Sequence, residues 1–482
     1  MTTYAQPPAT QISRAPLPPT SKGRLFVKWI TSTDHKTIGY MYLITTFVWF
    51  LIGGLMALAL RSELARPGLQ FLSNEQYNQL FTMHGTIMLL MFATPLFVGF
   101  ANVIMPLQIG AADVAFPRLN MFSFWLFLFG GTMATAGFLS PGGAASFGWT
   151  AYAPLANSQY SPGIGADLWI VGLALGGLGT ILSGVNFITT IFTMRAPGMT
   201  MFRMSIFTWN VLLTSILVLL AFPPLAAAFL GLEADRLFGA HLFDPANGGA
   251  MLWQHLFWFL AHPEVYVLIL PAVGIVGEII AVNTKKPLYG YKTLIYSMLF
   301  LGFMSFIVWA HHMFMTGMGV TMSTFFQATT MIISVPSVII LTTYLLTLWG
   351  ASIRYTVPML FATAFLPMFA IGGLTGLPLG LTASDIHLHD TYYVIGHFHY
   401  VVAPGTLFAL MAGVYHWYPK ITGRFMSNTL GKLHFWTSVI AINGVFMPMF
   451  FMGMAGVSRR LYDQTVYAHG AAAQPLNVVM SV

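Results

Sequence analysis

Eleven apolar segments, each long enough to cross a bilayer as a helix, occupy most of this chain. A membrane-spanning helix needs about 20 mainly apolar residues. Hydrophobic residues make up 57% of the 482 residues and charged residues only 7%, a balance typical of polytopic membrane proteins. The sequence therefore predicts an all-α membrane protein, a bundle of 11–12 transmembrane helices. The spans are predicted at 37–60, 84–107, 122–139, 167–192, 206–232, 253–281, 294–314, 325–349, 356–380, 393–418 and 435–456.

The basic residues predict how these spans are oriented. With a cytoplasmic N-terminus, 15 of the 20 Lys and Arg residues lie on the cytoplasmic side, as the positive-inside rule expects. The five outer ones are Arg61, Arg66, Arg236, Arg459 and Arg460. We expect a cytoplasmic tail at 1–36 and a transmembrane domain at 37–482. The net charge of +7 then reflects topology and not nucleic-acid binding.

The sequence contains no cysteine. This excludes disulfides, iron–sulfur clusters, thiolate copper centres and covalent c-type haem within this chain. A transition metal bound here is expected to be held by histidine, because imidazole suits copper, iron and zinc.

Histidines within the spans converge at one depth. A single membrane histidine is often only a hydrogen-bond partner between helices, but titratable groups inside a bilayer are costly and mark functional sites. On the predicted topology, six histidines from four spans lie in the outer half of the bilayer: His84, His262, His311, His312, His397 and His399. Their common depth favours a shared cofactor site.

The spacing of these histidines suggests how they divide. His397 and His399 are two residues apart, so a helix points them to nearly opposite sides. That geometry serves two cofactors better than one metal ion. His84 and one of this pair could bind a haem iron from both sides, and the other could hold a second haem from one side.

The remaining three histidines suggest a metal site. His311 and His312 are adjacent, about 100° apart on an α-helix, and can converge on one ion only with a ligand from another helix. His262 can supply that ligand. A haem with an open position that faces a three-histidine metal is a site for binding and reducing a small diatomic molecule.

The sixth span adds two groups beside the proposed metal. Tyr266 follows His262 by four residues, so the two side chains share a helix face and can touch. A phenol beside a metal ligand can donate a proton and an electron. Glu264 lies about 200° around the helix from His262. It is the only carboxylate deep within a span, which favours a proton relay over a packing role.

Six motifs resemble those of subunit I of the haem–copper oxygen reductases: WQHLFWFLAHPEVY, WAHHMF, HDTYYVIGHFHY, MHGT, PLQIGAADVAFPRLN and GVSRRLYD. The likeness runs over 28–463 and is greatest to bacterial cytochrome c oxidases with a glutamate-type proton pathway. It implies a fold like cytochrome c oxidase subunit I in a bacterial inner membrane. It also implies a terminal oxidase that passes electrons through a low-spin haem to a high-spin haem and copper centre, reduces dioxygen to water and pumps protons.

Three alternatives remain. Nitric oxide reductase and quinol oxidase belong to the same superfamily, and a membrane proton or metal transporter belongs to another class. Tyr266 argues against nitric oxide reduction, which needs no extra local electron. The opposite directions of His397 and His399 argue against a transporter, which needs no ligands on opposite helix faces.

The resemblance implies a role for each histidine. His84 and His399 would be the axial ligands of the low-spin haem, and His397 would be the proximal ligand of the high-spin haem. Both groups are expected to be haem A. The ligands of copper B would be the remaining three histidines: His262, His311 and His312.

The resemblance also implies roles around the haems. Tyr266 would be covalently joined to His262. His389 and Asp390 resemble a Mg/Mn site, whereas Asp385 and His387 are expected to be ordinary polar loop residues. Arg459 and Arg460 would bind the haem propionates. Trp149 would lie near the electron input, and Arg61 would contact the formyl group of the low-spin haem.

A proton channel is implied as well. Asp113 would lie at its cytoplasmic mouth and Glu264 at its inner end. Its polar lining would comprise three asparagines: Asn102, Asn120 and Asn186. The implied partners are a subunit II carrying the electron-accepting copper site, subunit III, cytochrome c or an associated c-type haem, dioxygen and membrane lipids.

Two departures from the family pattern stand out. The family's second proton route carries a lysine in the eighth span, in a pattern like VPTGIK, but this stretch reads VPSVII and places Ile340 there. Ser337 and Thr343 are the remaining polar candidates, yet they lie about 240° apart around the helix. The protons of this route are therefore expected to travel another way. The end of the chain could begin a twelfth span without completing it.

Overall fold

The computed structural model describes residues 22–481, so most of the expected tail lies outside the described residues. Within this range, 11 helices are long and apolar enough to cross a membrane, which confirms the predicted fold class. In chain order, α1 to α11 are His35–Glu63, Asn74–Ile109, Pro117–Leu139, Ile164–Thr193, Ile206–Phe238, Gly249–Thr284, Tyr291–Thr316, Gly319–Leu348, Val357–Leu379, Tyr392–Thr422 and Asn428–Met454. Shorter helices are Lys22–Ile30, Thr382–Leu388, Ala468–Ala472 and Gln474–Ser481.

Helix α6 lies at the centre of the bundle. It packs against α2, α5, α7, α8, α9 and α10. In its most apolar stretch 78% of residues are buried inside the protein, against 22% in α1 and α11, which lie at the periphery. The central helix is thus the one that carries His262, Glu264 and Tyr266.

Helix α2 begins ten residues before the predicted second span. Its first turns are polar, and Ser73 caps them by accepting from the Gln76 backbone N–H while the Gln76 side chain accepts from the Ser73 N–H. This reciprocal capping box stabilises helix outside the apolar stretch. His84 therefore lies well inside α2 and does not open it.

Several spans depart from regular α-helix. Two π-helical segments follow haem-ligand candidates, Ile87–Ala93 after His84 and Ala403–Leu407 after His399. Helix α7 ends in the 3₁₀ segment Trp309–Thr316. Segments of π-helix are rare and are concentrated at functional sites.

The predicted start of a twelfth span corresponds to the eight-residue helix Gln474–Ser481. It packs against α1 and α11. Arg61 ties it to α1, because the Arg61 guanidinium donates to the Asn477 carbonyl at 2.8 Å and to the Ser481 hydroxyl at 3.0 Å.

Candidate functional site

Three histidines from α6 and α7 form a compact cluster. The Nδ1 atom of His262 lies 3.3 Å from Nε2 of His312, which lies 3.0 Å from Nε2 of His311. Among residues 22–481, this is the one group of three or more potential ligands whose atoms all lie within 4.8 Å of one another. Nitrogens this close, on one buried and two half-buried side chains that point at one another, fit a His-ligated metal ion.

The end of α7 is wound more tightly than an α-helix. His311 and His312 were expected on an α-helix, which is wrong, because they lie in the 3₁₀ segment at the end of α7. Adjacent residues there are about 120° apart and not 100°, so the ligand from α6 is still needed to complete the cluster. His311 is further oriented by Thr330 of α8, whose hydroxyl lies 2.9 Å from its Nδ1.

Aromatic rings hold the cluster from two sides. The ring of Tyr266 meets that of His262 edge-to-face, with centroids 4.8 Å apart, as their four-residue spacing predicts. Trp258 stacks on His312 with centroids 3.7 Å apart. The Nδ1 atom of His262 faces the cluster, whereas its Nε2 atom is buried without a hydrogen-bond partner.

The other three histidines are oriented by backbone carbonyls. Each donates from its Nδ1–H group over 2.9 Å: His84 to the carbonyl of Gly53, His397 to that of Gly372 and His399 to that of Ile395. Such a bond fixes the tautomer and leaves Nε2 free to bind a metal. All three therefore fit the role of axial haem ligands.

The two histidines of α10 have different surroundings. His399 lies within electrostatic range of His84, whereas His397 lies within range of His262 and His311. The two members of the α10 pair thus face different neighbours. Gly376 makes room for His397, because a Cβ atom at residue 376 would lie 2.8 Å from the His397 ring.

Glu264 is buried beside a threonine that the sequence analysis did not identify. The Thr94 hydroxyl is close enough to donate to Oε1 of Glu264 or, over 2.9 Å, to the carbonyl of Leu89. A hydroxyl has one hydrogen. When the Thr94 hydroxyl donates to the Leu89 carbonyl, its oxygen can accept a hydrogen bond from a protonated Glu264. The arrangement accommodates both protonation states of the carboxyl group.

Asp113 lies at the far end of the bundle from the histidine cluster, in the turn between α2 and α3. Burial raises the pKa of its carboxyl group, although hydrogen bonding to the Val114 N–H and the charge of His35 oppose the shift. His35 Nδ1 donates over 2.6 Å to the carbonyl of Asn102. Asn120 donates over 2.6 Å to the Asn102 side chain.

A second cluster of polar side chains, around Ser123, adjoins Asn120. Ser123 donates to the Asn120 carbonyl, and its oxygen lies 3.1 Å from the hydroxyls of both Tyr42 and Ser183. Sequence reasoning missed His35 and Tyr42, although their seven-residue spacing places them on one face of α1. Asn186 is not hydrogen-bonded to the other two asparagines. Its side-chain amide accepts from the Phe116 N–H and donates to the Phe116 carbonyl.

The loop residues on the histidine side are also brought together. Arg459 Nε donates over 2.7 Å to Asp390, and His389 Nε2 lies 3.8 Å from the second Asp390 oxygen. Burial alone would raise the pKa of the Asp390 carboxyl, but the charges of Arg459 and His389 hold it below its ordinary value. Asp385, expected as an ordinary loop residue, is buried with an oxygen 3.3 Å from His389.

Arg460 and Trp149 lie on the same side. Burial and the charge of Arg459 lower the pKa of Arg460 to about 10. The Trp149 ring fills the space beside Gly85, where a Cβ atom would lie 3.2 Å from it. Trp149 also meets Trp258 edge-to-face, with centroids 6.0 Å apart.

Residues 37–482 match the family described as Cytochrome C and Quinol oxidase polypeptide I. The chain belongs to this family. Membership implies haems, a copper ion and association with a subunit II in an oxidase complex. It agrees with the predicted family, and the 11 apolar helices make the chain a multi-pass membrane protein.

Relatives in this oxidase family are similar over nearly the whole chain. A probable cytochrome c oxidase subunit 1-alpha from Streptomyces coelicolor is 58% identical over 95% of this chain and 79% of the relative. The cytochrome c oxidase subunit 1 of Corynebacterium diphtheriae is 52% identical over 99% of this chain and 83% of the relative. A solved heme-copper terminal oxidase dimer shares the fold, with a TM-score of 0.78 over 92% of this chain and 81% of that one, at 20% identity.

Proposed function

We propose that this chain is the catalytic subunit of a respiratory cytochrome c oxidase that reduces dioxygen to water and pumps protons. The observation that carries the proposal is the contact of the Tyr266 ring with His262 inside the three-histidine cluster. Together they support metal ligands and a source of a proton and an electron beside one another.

The histidines divide between three bound groups. His84 and His399 would hold the low-spin haem, and His397 the high-spin haem. The copper ion, copper B, would be held by the three clustered histidines: His262, His311 and His312. When bound, these groups supply electron transfer and the reduction of dioxygen. We propose haem A for both haems, with Arg61 beside the formyl group of the low-spin haem.

The protein contributes protons and exclusion of water. The Tyr266 hydroxyl can release a proton next to the copper ligands, and we propose the covalent bond to His262 that the family resemblance implies. Glu264 can take up and release a proton in the dry interior, since Thr94 supports both of its protonation states. Water is excluded by close aromatic packing, such as that of Trp258 on His312.

The outer loops complete the site. Arg459 and Arg460 would bind the haem propionates, and Trp149 would lie near the electron input. His389 and Asp390 would form a Mg or Mn site, where they offer a nitrogen and a carboxylate oxygen facing each other; the carboxylate oxygen is the donor that suits such an ion.

A proton route is proposed from Asp113 to Glu264. The hydrogen-bonded groups around Asn102 and Asn120 would line its first half, and Asn186 would hold the backbone of its mouth. On this proposal the N-terminus and Asp113 face the cytoplasm of a bacterial cell. The proposed partners are subunit III and cytochrome c or an associated c-type haem.

Removing the acid at the proposed mouth gives a direct test. We expect Asp113→Asn to slow turnover by more than about tenfold, because a neutral amide cannot carry protons. Ser337→Ala serves as the control and should change the rate less than about threefold, since the Ser337 hydroxyl already bonds its own helix at the Ile333 carbonyl. Oxygen consumption of the purified complex measures both. Equal rates in the two variants would rule out Asp113 as the mouth.

The proposed function itself is tested by the visible spectrum and metal content of the purified complex. We expect two spectrally distinct haems, one of them binding carbon monoxide, and one copper ion held by this chain. Oxidation of reduced cytochrome c but not of a quinol would separate the proposal from a quinol oxidase. A complex without haem would overturn it.

A further inference from the structure

Helix α6 carries a second carboxyl group, Glu278, which the proposed function does not use. It lies twelve residues beyond Tyr266, about 18 Å along the helix axis and toward the end opposite the histidine cluster. Its Oε1 accepts from the Phe207 N–H over 3.2 Å. The Ser205 hydroxyl, at the start of the same turn of α5, donates over 2.6 Å to Gln108, and the charge of Lys420 lies within electrostatic range of Glu278.

A buried tyrosine adjoins Glu278. Tyr344 of α8 is fully buried and donates over 2.6 Å to the carbonyl of Val273 on α6. It fits there because residue 277 is glycine, since a Cβ atom at Gly277 would lie 2.9 Å from the Tyr344 oxygen. Glu278 is within electrostatic range of Tyr344. Val273 lies seven residues from Tyr266, so both are on one face of α6, about 10 Å apart along its axis.

The neighbouring face of α5 carries two buried oxygen atoms without hydrogen-bond partners, although the amide nitrogen of Asn210 donates to the Ile206 carbonyl. Asn210 approaches α6 at Gly274, where a Cβ atom would lie 3.0 Å from its amide nitrogen. Thr214 follows one turn later, on the same face and nearer the histidine cluster. Asn210 Oδ1 and Thr214 Oγ1 are both buried without a hydrogen-bond partner. Buried polar atoms nearly always have partners, often ordered water, so both atoms call for water between α5 and α6.

We propose that Glu278 takes up protons for a second route, which runs past Tyr344, Asn210 and Thr214 to the Tyr266 side of the histidine cluster. The inference rests on the proposed function. Each proton leaves the Glu278 carboxyl group, which regains one from water at its partly exposed end, and no electron moves along the path. The route replaces the missing lysine, because Ile340 lies one turn from Tyr344 on α8 and offers no polar group.

A structural role for Glu278 must be separated from this one. Its carboxylate accepts from backbone N–H groups in the first turn of α5, which is also what a helix cap does. Glu278→Gln keeps an accepting oxygen there but cannot carry a proton. Thr214→Val keeps the side-chain volume and removes only a hydroxyl that has no protein partner. Ser215→Ala is the control, because the Ser215 hydroxyl already bonds its own helix at Val211.

The experiment reduces the purified oxidase complex without oxygen, follows the two haems separately by absorbance and measures proton uptake with a pH dye. We expect Glu278→Gln to slow high-spin haem reduction and the accompanying proton uptake at least about tenfold, and Thr214→Val at least about threefold. The low-spin haem should still be reduced at the normal rate, and Ser215→Ala should match the wild type.

Wild-type proton uptake in both variants, with oxygen consumption intact, would overturn this inference and leave the proposed function standing. A wild-type complex without a haem–copper spectrum would instead overturn the proposed function. If Glu278→Gln loses its haems, its role as a cap accounts for that loss, and Thr214→Val then decides. A normal rate in that variant rejects the route.

Discussion

Glu264→Gln is expected to retain both haems and copper while oxygen consumption falls by about a hundredfold. The amide can still bond Thr94, so packing around residue 264 is preserved. It cannot, however, take up or release a proton. The contacts of Thr94 with Leu89 and Glu264 accommodate both protonation states only for a carboxyl group. Oxygen electrode measurements on the purified complex, with haem and copper quantified in the same sample, give the result.

Glu75→Gln is a suitable control, because Glu75 is an exposed acid in the first turn of α2. Its removal should leave turnover within about twofold of the wild type. A Glu264→Gln enzyme that keeps nearly normal turnover and normal proton release would show that protons reach the histidine cluster without this carboxyl group.

His262→Ala is expected to lose at least about nine-tenths of the copper held by this chain, because the two remaining imidazoles are too few to hold the ion. The spectrum of the low-spin haem should persist, since its proposed ligands His84 and His399 lie on α2 and α10 and take their orientation from other carbonyls. Turnover should fall below detection. Metal analysis and a reduced-minus-oxidised spectrum of the same preparation measure both effects.

His255→Ala tests whether copper loss is specific. His255 is on the same helix two turns earlier, but its Nδ1 accepts from Trp309 over 3.2 Å, so it is not available to the cluster. This variant should keep its copper. Unchanged copper in His262→Ala would disprove the ligand assignment, and equal loss in both variants would indicate damage to α6 and not to the site.

The sequence predicted the spans and several contacts of the histidines because both follow from simple regularities. Apolar length sets the spans, and the rotation of a helix sets which side chains share a face. His262 and Tyr266 touch for that reason, and His397 and His399 diverge for the same reason. The family and its subunit II followed from motifs around these residues, which the comparison with known proteins supports.

What the sequence did not predict depends on contacts between helices. The 3₁₀ turn that carries His311 and His312 is not encoded by local periodicity. Thr94 is one of many threonines until α2 packs against α6 and places it at Glu264. Asp385 looked like a loop residue because a seven-residue helix is too short to give a periodic signal, yet that helix buries it against His389.

The π-helical segment Ile87–Ala93 makes α2 intolerant of changes in length. This segment lies between His84, the proposed haem ligand, and Thr94, which bonds Glu264. A π turn holds one residue more than an α turn over the same stretch. Deleting a residue there would replace the π turn by regular α-helical hydrogen bonds, which is locally favourable for the backbone. It would also rotate Thr94 by about 100° relative to His84. Natural variation in this stretch should therefore exchange residues freely but keep their number.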